Sequence, residues 1–279
     1  MDNALFSGAL FGGSLAAGFI GSLTGLGGGV VIVPLLTILF HVDIRYAIGA
    51  SLISVIATSS GAAAAYVRDG FSNVRVGMLL EIATCLGALA GAAVAAYVPT
   101  AGLAILLGVV LLGSAFAPAH KEDQGATEQP DPNSFCARLK LNSSYPGPKG
   151  ARQYTVRRLP LGFGLMGIAG LLSGLLGIGS GAVKVLALDL AMGLPFKVST
   201  TTSNFMIGVT AAASAGIYLH RGYIDPGLAM PVTLGVAAGA LGGAKLLATV
   251  ASGRLRMLFR VVILVLAVEM IYNGWTGRI

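Results

Sequence analysis

Two glycine clusters, Gly25-Leu26-Gly27-Gly28-Gly29 and Gly177-Ile178-Gly179-Ser180-Gly181, each interrupt a long apolar run. Glycine inside a helix costs about 1 kcal/mol relative to alanine, so each cluster predicts a break. A break at membrane depth leaves N–H and C=O groups unpaired, which is tolerated only where protein or a water-filled cavity surrounds them. Helices restarting near Val30 and Ala182 would turn free N–H groups and a positive dipole end into the protein. That chemistry suits a small anion, with Gly25, Gly27, Gly28, Gly29, Gly177, Gly179, Ser180 and Gly181 as its backbone donors. The competing reading of each cluster alone is close helix packing through glycine. Its occurrence twice, each time opening a short apolar segment, favours binding.

A polar stripe follows each break. Ala47, Ser51, Ser54, Thr58 and Ala62 recur at spacings of three and four, one face of a helix. Ser199, Ser203, Met206, Thr210 and Ser214 repeat that face, beside Thr200, Thr201, Thr202 and Asn204. Such side chains either line a polar path or bond their own helix carbonyls. Ser51, Ser203 and Asn204, placed in register after the breaks, are read as ligand donors. Ionisable residues within the apolar segments are few: Glu81, Lys184, Asp189, Lys245 and Glu269. A charge at the centre of a membrane helix costs about 2.5–3.5 kcal/mol, which marks each as a functional candidate. Lys184 stands out, three residues past Gly181, where its ammonium would add net charge to an anion site; neutralisation by Asp189 and snorkelling are its alternatives. Glu81 and Glu269 read as interfacial. His41, His120 and His220 are scattered, and Cys85 and Cys136 have no metal or disulfide spacing. No cofactor, metal or acid–base constellation is expected, and no enzyme.

The elements that must hold these residues are membrane helices. Of 279 residues 55% are hydrophobic and only 10% charged, where soluble domains carry about 25%; mean hydropathy is +0.84. A soluble enzyme, a DNA-binding domain and a disordered chain are excluded. No charged side chain falls between Asn3 and Val42, a run of 40 residues, where one crossing needs about 20. Apolar segments are expected near 4–23, 28–41, 46–67, 76–98 and 100–118, then 159–178, 180–195, 198–220, 226–250 and 257–275. The short 28–41 and 180–195 either cross or re-enter. The N-terminal segment is read as retained, since it has no basic signal region.

Residues 119–158 form a polar linker with seven Lys and Arg against four acids. The positive-inside rule makes it cytoplasmic, so the net charge of +7 reports topology and not a nucleic-acid partner. The linker divides residues 1–118 from 159–279. A shift of 152 residues lays one part on the other without a gap: the glycine clusters coincide, Ser51 meets Ser203, Thr58 meets Thr210, Tyr66 meets Tyr218 and Met78 meets Met230. Five segments per repeat, an odd number, predict inverted repeats in an all-α integral membrane fold, the plan of many secondary transporters; re-entrant short segments would make the repeats parallel.

The stretches GFIGSLTGLGGGVVIVPLL (18–36), AIGASLISV (47–55), GLLSGLLGIGSGAVKV (170–185), STTTSNFMIG (199–208) and RGYID (221–225) together resemble the sulfite exporter TauE/SafE family. The resemblance covers nearly the whole chain apart from the linker. It implies a multi-pass transporter of small anions, sulfur compounds among them, in a bacterial-type inner membrane. It also implies a role for the two glycine loops, Ser51, Ser203 and Asn204. Ser180, Lys184 and the long linker are this chain's departures. Without a Walker motif, transport would draw on the substrate's own gradient or on a coupling ion, proton or sodium; an anion channel is the alternative.

Overall fold

The computed structural model describes residues 3–24, 28–115, 135–147, 150–247 and 252–277. Within them the chain is helical apart from one short hairpin. The helices are α1 (Asn3–Thr24), α2 (Gly29–Leu39), α3 (Ile44–Arg68), α4 (Val74–Ala95) and α5 (Thr100–Ala115), then α7 (Leu159–Leu176), α8 (Gly181–Leu186), α9 (Phe196–His220), α10 (Pro226–Leu247) and α11 (Ser252–Trp275). Between the two series lie a single turn of helix, α6 (Phe135–Arg138), and strands β1 (Ser143–Gly147) and β2 (Gly150–Tyr154).

The duplication read from the sequence is present in the element boundaries. Gly29 and Gly181, Ile44 and Phe196, and Val74 and Pro226 open equivalent helices, each pair 152 positions apart. One pair of ends matches as well: α3 and α9 stop at Arg68 and His220. One difference is local. Pro34 stands inside α2, whereas after Leu186 the second repeat passes into a π-helical turn, Ala187–Ala191. Proline removes a helix hydrogen bond and a π turn widens the helix, so both repeats distort the same stretch by different means.

The repeats interleave. α1 packs along α10, α4 along α7, α5 along α11, and α3 against α9. Glycine makes the two largest crossings close: a Cβ on Gly239 would stand 2.1 Å from the Leu15 carbonyl oxygen, and one on Gly87 2.1 Å from that of Gly167. Without a hydrophobic drive between helices in lipid, such small-residue ridges let backbones approach and gain dispersion contact. Gly235 lies against Phe11 and Gly239 against Leu15 and Phe19, so α1 and α10 run in the same direction. α5 and α11 run oppositely, Gly108 facing Ala267 and Ile271 while Gly274 faces Ala101 and Ile105.

Large apolar side chains cover the outside of the helices. On α4 the side chains of Met78, Ile82, Leu86 and Leu89 point outward, while Glu81 and Thr84 are buried. Met230, Leu234 and Leu241 do the same on α10. Ile44–Arg68, Val74–Ala95 and Leu159–Leu176 are each long and apolar enough to cross a membrane. An apolar exterior, with polar residues buried beside an apolar core, fits a protein whose solvent is lipid.

Candidate functional site

The described end of the first break touches the second. Gly28 closes the first as a turn and Gly29 opens α2; Gly25 and Gly27 lie outside the described residues. A Cβ on Gly29 would stand 2.6 Å from Val55, 3.0 Å from the Ser51 hydroxyl and 3.3 Å from the Gly177 carbonyl oxygen. Gly29 therefore sits directly against α3 and against the second break. In that break Gly177, Gly179 and Ser180 all take positive φ, +64°, +70° and +46°. Ser180 is not a glycine, and a side chain held in the left-handed region is strained. Its hydroxyl is buried with no hydrogen-bond partner.

Ser51 and Ser203 have equivalent settings. The Ser51 hydroxyl donates to the Gly177 carbonyl at 2.8 Å and lies 3.5 Å from that of Gly29. Ser203 donates to the Gly181 carbonyl at 3.3 Å. Ser51 thus satisfies the Gly177 carbonyl left over at the end of α7, the compensation that a break in lipid requires, while Ser203 reaches the first carbonyl of α8. Asn204, next on α9, is buried with 8% exposure.

Lys184 is fully buried, so it does not snorkel. Its ammonium donates to Thr210 Oγ1 on α9 at 2.5 Å. The Thr210 hydroxyl in turn lies 2.5 Å from Glu81 Oε1 on α4, with the Met206 carbonyl at 2.8 Å as its other acceptor. The Cys85 thiol lies 3.4 Å from the same Glu81 oxygen. Glu81, read as interfacial, is buried against the protein with only 7% exposure, about two turns into the helix that begins at Val74. Glu269 is exposed, Asp189 is buried on the π turn, and the side chain of Lys245 lies outside the described residues. The chain Lys184–Thr210–Glu81 spans three helices and both repeats.

Its counterparts by the repeat are neutral. Ile32, Thr58 and Thr233 occupy the positions equivalent to Lys184, Thr210 and Glu81; Ile32 is fully buried, Thr58 bonds its own helix at Ser54, and the Thr233 hydroxyl is buried without a partner. The equivalent positions share neither charge nor pairing.

The described residues of the linker, 135–147 and 150–158, pack over one end of this region. Asn73 caps α4 by accepting from the Val76 N–H at 3.1 Å, while its amide donates to the Leu141 carbonyl at 2.8 Å and to the Tyr154 hydroxyl at 2.9 Å. Leu141, Tyr145, Tyr154 and Val156 join Val76, Leu80, Leu188 and Met192 in one apolar cluster. Burial raises the Tyr154 phenol above its ordinary pKa, partly offset by the bonds from Asn73 and Ser143, which keeps it neutral in the cluster. At the other end of α4, Arg221 donates to the carbonyls of Ala92 and Ala93 and Arg45 to that of Val98, cations on the negative end of a helix.

A family model described as sulfite exporter TauE/SafE matches residues 10–270. The chain belongs to this family. Relatives in Bacillus subtilis carry the names "Probable membrane transporter protein YunE", 27% identical over 93% of this chain and 95% of the relative, and "Probable membrane transporter protein YdhB", 29% identical over 82% and 85%. A "Probable membrane transporter protein" of Xylella fastidiosa is 25% identical over 94% of both chains. No solved structure matches. With the apolar exterior, the family makes this a membrane transporter.

Proposed function

We propose that this transporter is a secondary carrier of a small anion, a sulfur oxyanion or organosulfonate, across the bacterial-type cytoplasmic membrane. The observation that carries the reading is Lys184, a fully buried cation one turn past a strained glycine break whose Ser180 hydroxyl has no partner. The anion would sit between the breaks, against the N–H groups of Gly28, Gly29, Gly179, Ser180 and Gly181, with the Asn204 amide beside it. Ser51 and Ser203, bonded to break carbonyls, would rotate to meet it or hold the loops for it. Inverted repeats are the plan proposed here: equivalent helices α5 and α11 run antiparallel, as a twofold axis in the membrane plane requires. Rocking of one repeat against the other would open the site to each side in turn. The linker's basic residues favour its end as the cytoplasmic one.

The test is uptake and counterflow in proteoliposomes with sulfite, thiosulfate, sulfoacetate, taurine and simple organic acids. Saturable, counterflow-competent movement of a sulfur anion is expected. Movement of cations alone would overturn the reading, and flux without counterflow would make the protein a pore.

A further inference from the structure

The charged chain at the centre has a feature that an anion site alone does not need. Glu81 is more than nine-tenths buried, and its two carboxyl oxygens differ. Oε1 takes the Thr210 hydroxyl and the Cys85 thiol; Oε2 is buried with no hydrogen-bond partner. An ionised carboxylate with one bare oxygen in a low-dielectric interior is costly, and its counterion is Lys184, reached through Thr210. While Glu81 is ionised, Lys184 is already neutralised and offers an incoming anion little net charge.

We infer that Glu81 is the proton-coupling site of this transporter, competing with the anion for Lys184. A proton from solvent adds to Oε2, the carboxylate becomes a neutral acid, and the ammonium is left as uncompensated charge that an anion then neutralises. Proton and anion thus bind together or not at all, and the coupling is reciprocal. Other groups around the pair are few. α4 contributes Glu81 and Cys85, with Arg75 at its start; α9 carries titratable residues only near its ends, at Lys197, Tyr218 and His220; α7 has none, and the π turn brings Asp189. The counterparts Ile32, Thr58 and Thr233 cannot titrate, so the site exists once and predicts one proton per anion despite the duplicated scaffold.

The inference rests on the anion reading, and calorimetry separates their failures. Purified transporter is titrated with thiosulfate, and separately with sulfoacetate, both fully ionised from mildly acid to mildly alkaline pH. Buffers of different ionisation enthalpy report the protons exchanged. Wild type is expected to take up close to one proton per anion where Glu81 is ionised, with affinity falling up to about tenfold per pH unit as pH rises. Glu81→Gln, a permanent mimic of the neutral acid, should bind without proton uptake at mildly acid pH, where Lys184 keeps its charge, and Lys184→Gln should lose binding. Anion binding by wild type without proton uptake, or with uptake retained in Glu81→Gln, overturns the coupling and leaves the carrier reading standing. Should neither anion bind wild type, the carrier reading falls and this inference with it. A wild-type proton count of zero overturns the coupling even where a variant fails to fold.

Discussion

Gly29 shows how little room the centre leaves. An added methyl would press on Val55 Cγ2 at 2.6 Å and on the Ser51 hydroxyl at 3.0 Å, and overpacking of this kind costs about 1–3 kcal/mol. Gly29→Ala should lower the thermal unfolding midpoint in detergent and weaken anion uptake, whereas Gly12→Ala, with nothing within 4 Å, should leave both unchanged. Equal effects of the two substitutions would remove the argument that the break is a close contact. At this scale the sequence was readable where residue type carries a cost. Lys184 in an apolar run announces itself, since a buried cation must be explained. Its partners were less legible, because the link through Thr210 depends on the rotation of α9 toward α4, which no spacing along one helix encodes. Nor did spacing show that Ser51 and Ser203 face carbonyl oxygens.

The helices follow directly from apolar length and from the glycines and prolines that punctuate it. The segments expected at 46–67 and 198–220 are α3 and α9, each extended by one or two residues at one or both ends. The linker was the unread part. Its Tyr145, Tyr154 and Val156 are too scattered for a period, and they cohere only against Val76, Leu80 and Leu188 of the membrane helices. Asn73 is the joint between them. Asn73→Ala removes the cap of α4, worth about 1 kcal/mol, together with the two bonds to Leu141 and Tyr154. Limited trypsin digestion should then cut the linker at Arg152 or Arg157 faster than in wild type, with the helices intact. An unchanged cleavage rate would show that the apolar cluster alone holds the hairpin.

Across the whole molecule the repeat has an observable consequence. Asp69 and His220 follow or end equivalent helices and both are exposed. In a background lacking Cys85 and Cys136, Asp69→Cys should react with an impermeant thiol reagent from one side of the membrane and His220→Cys from the other. Labelling of both from one side would make the repeats parallel. The duplication itself was legible because identities such as Tyr66 with Tyr218 survive in one register. The exchange of partners between repeats was not, since a shift along the chain says nothing about which helix packs on which.

That exchange sets a schedule for making the protein. α1 ends at Thr24, and its main neighbour, α10, begins at Pro226. With a ribosome adding about 5–20 residues per second, α1 waits on the order of 10–40 s for its partner. Throughout that interval Gly18, whose Cβ position lies 2.3 Å from the Val236 carbonyl, faces lipid or an insertion chaperone. A neighbouring nascent chain presents the same groove, so slow synthesis or a truncated message would favour two chains trading α1, and crowded expression should yield swapped dimers before it yields aggregates.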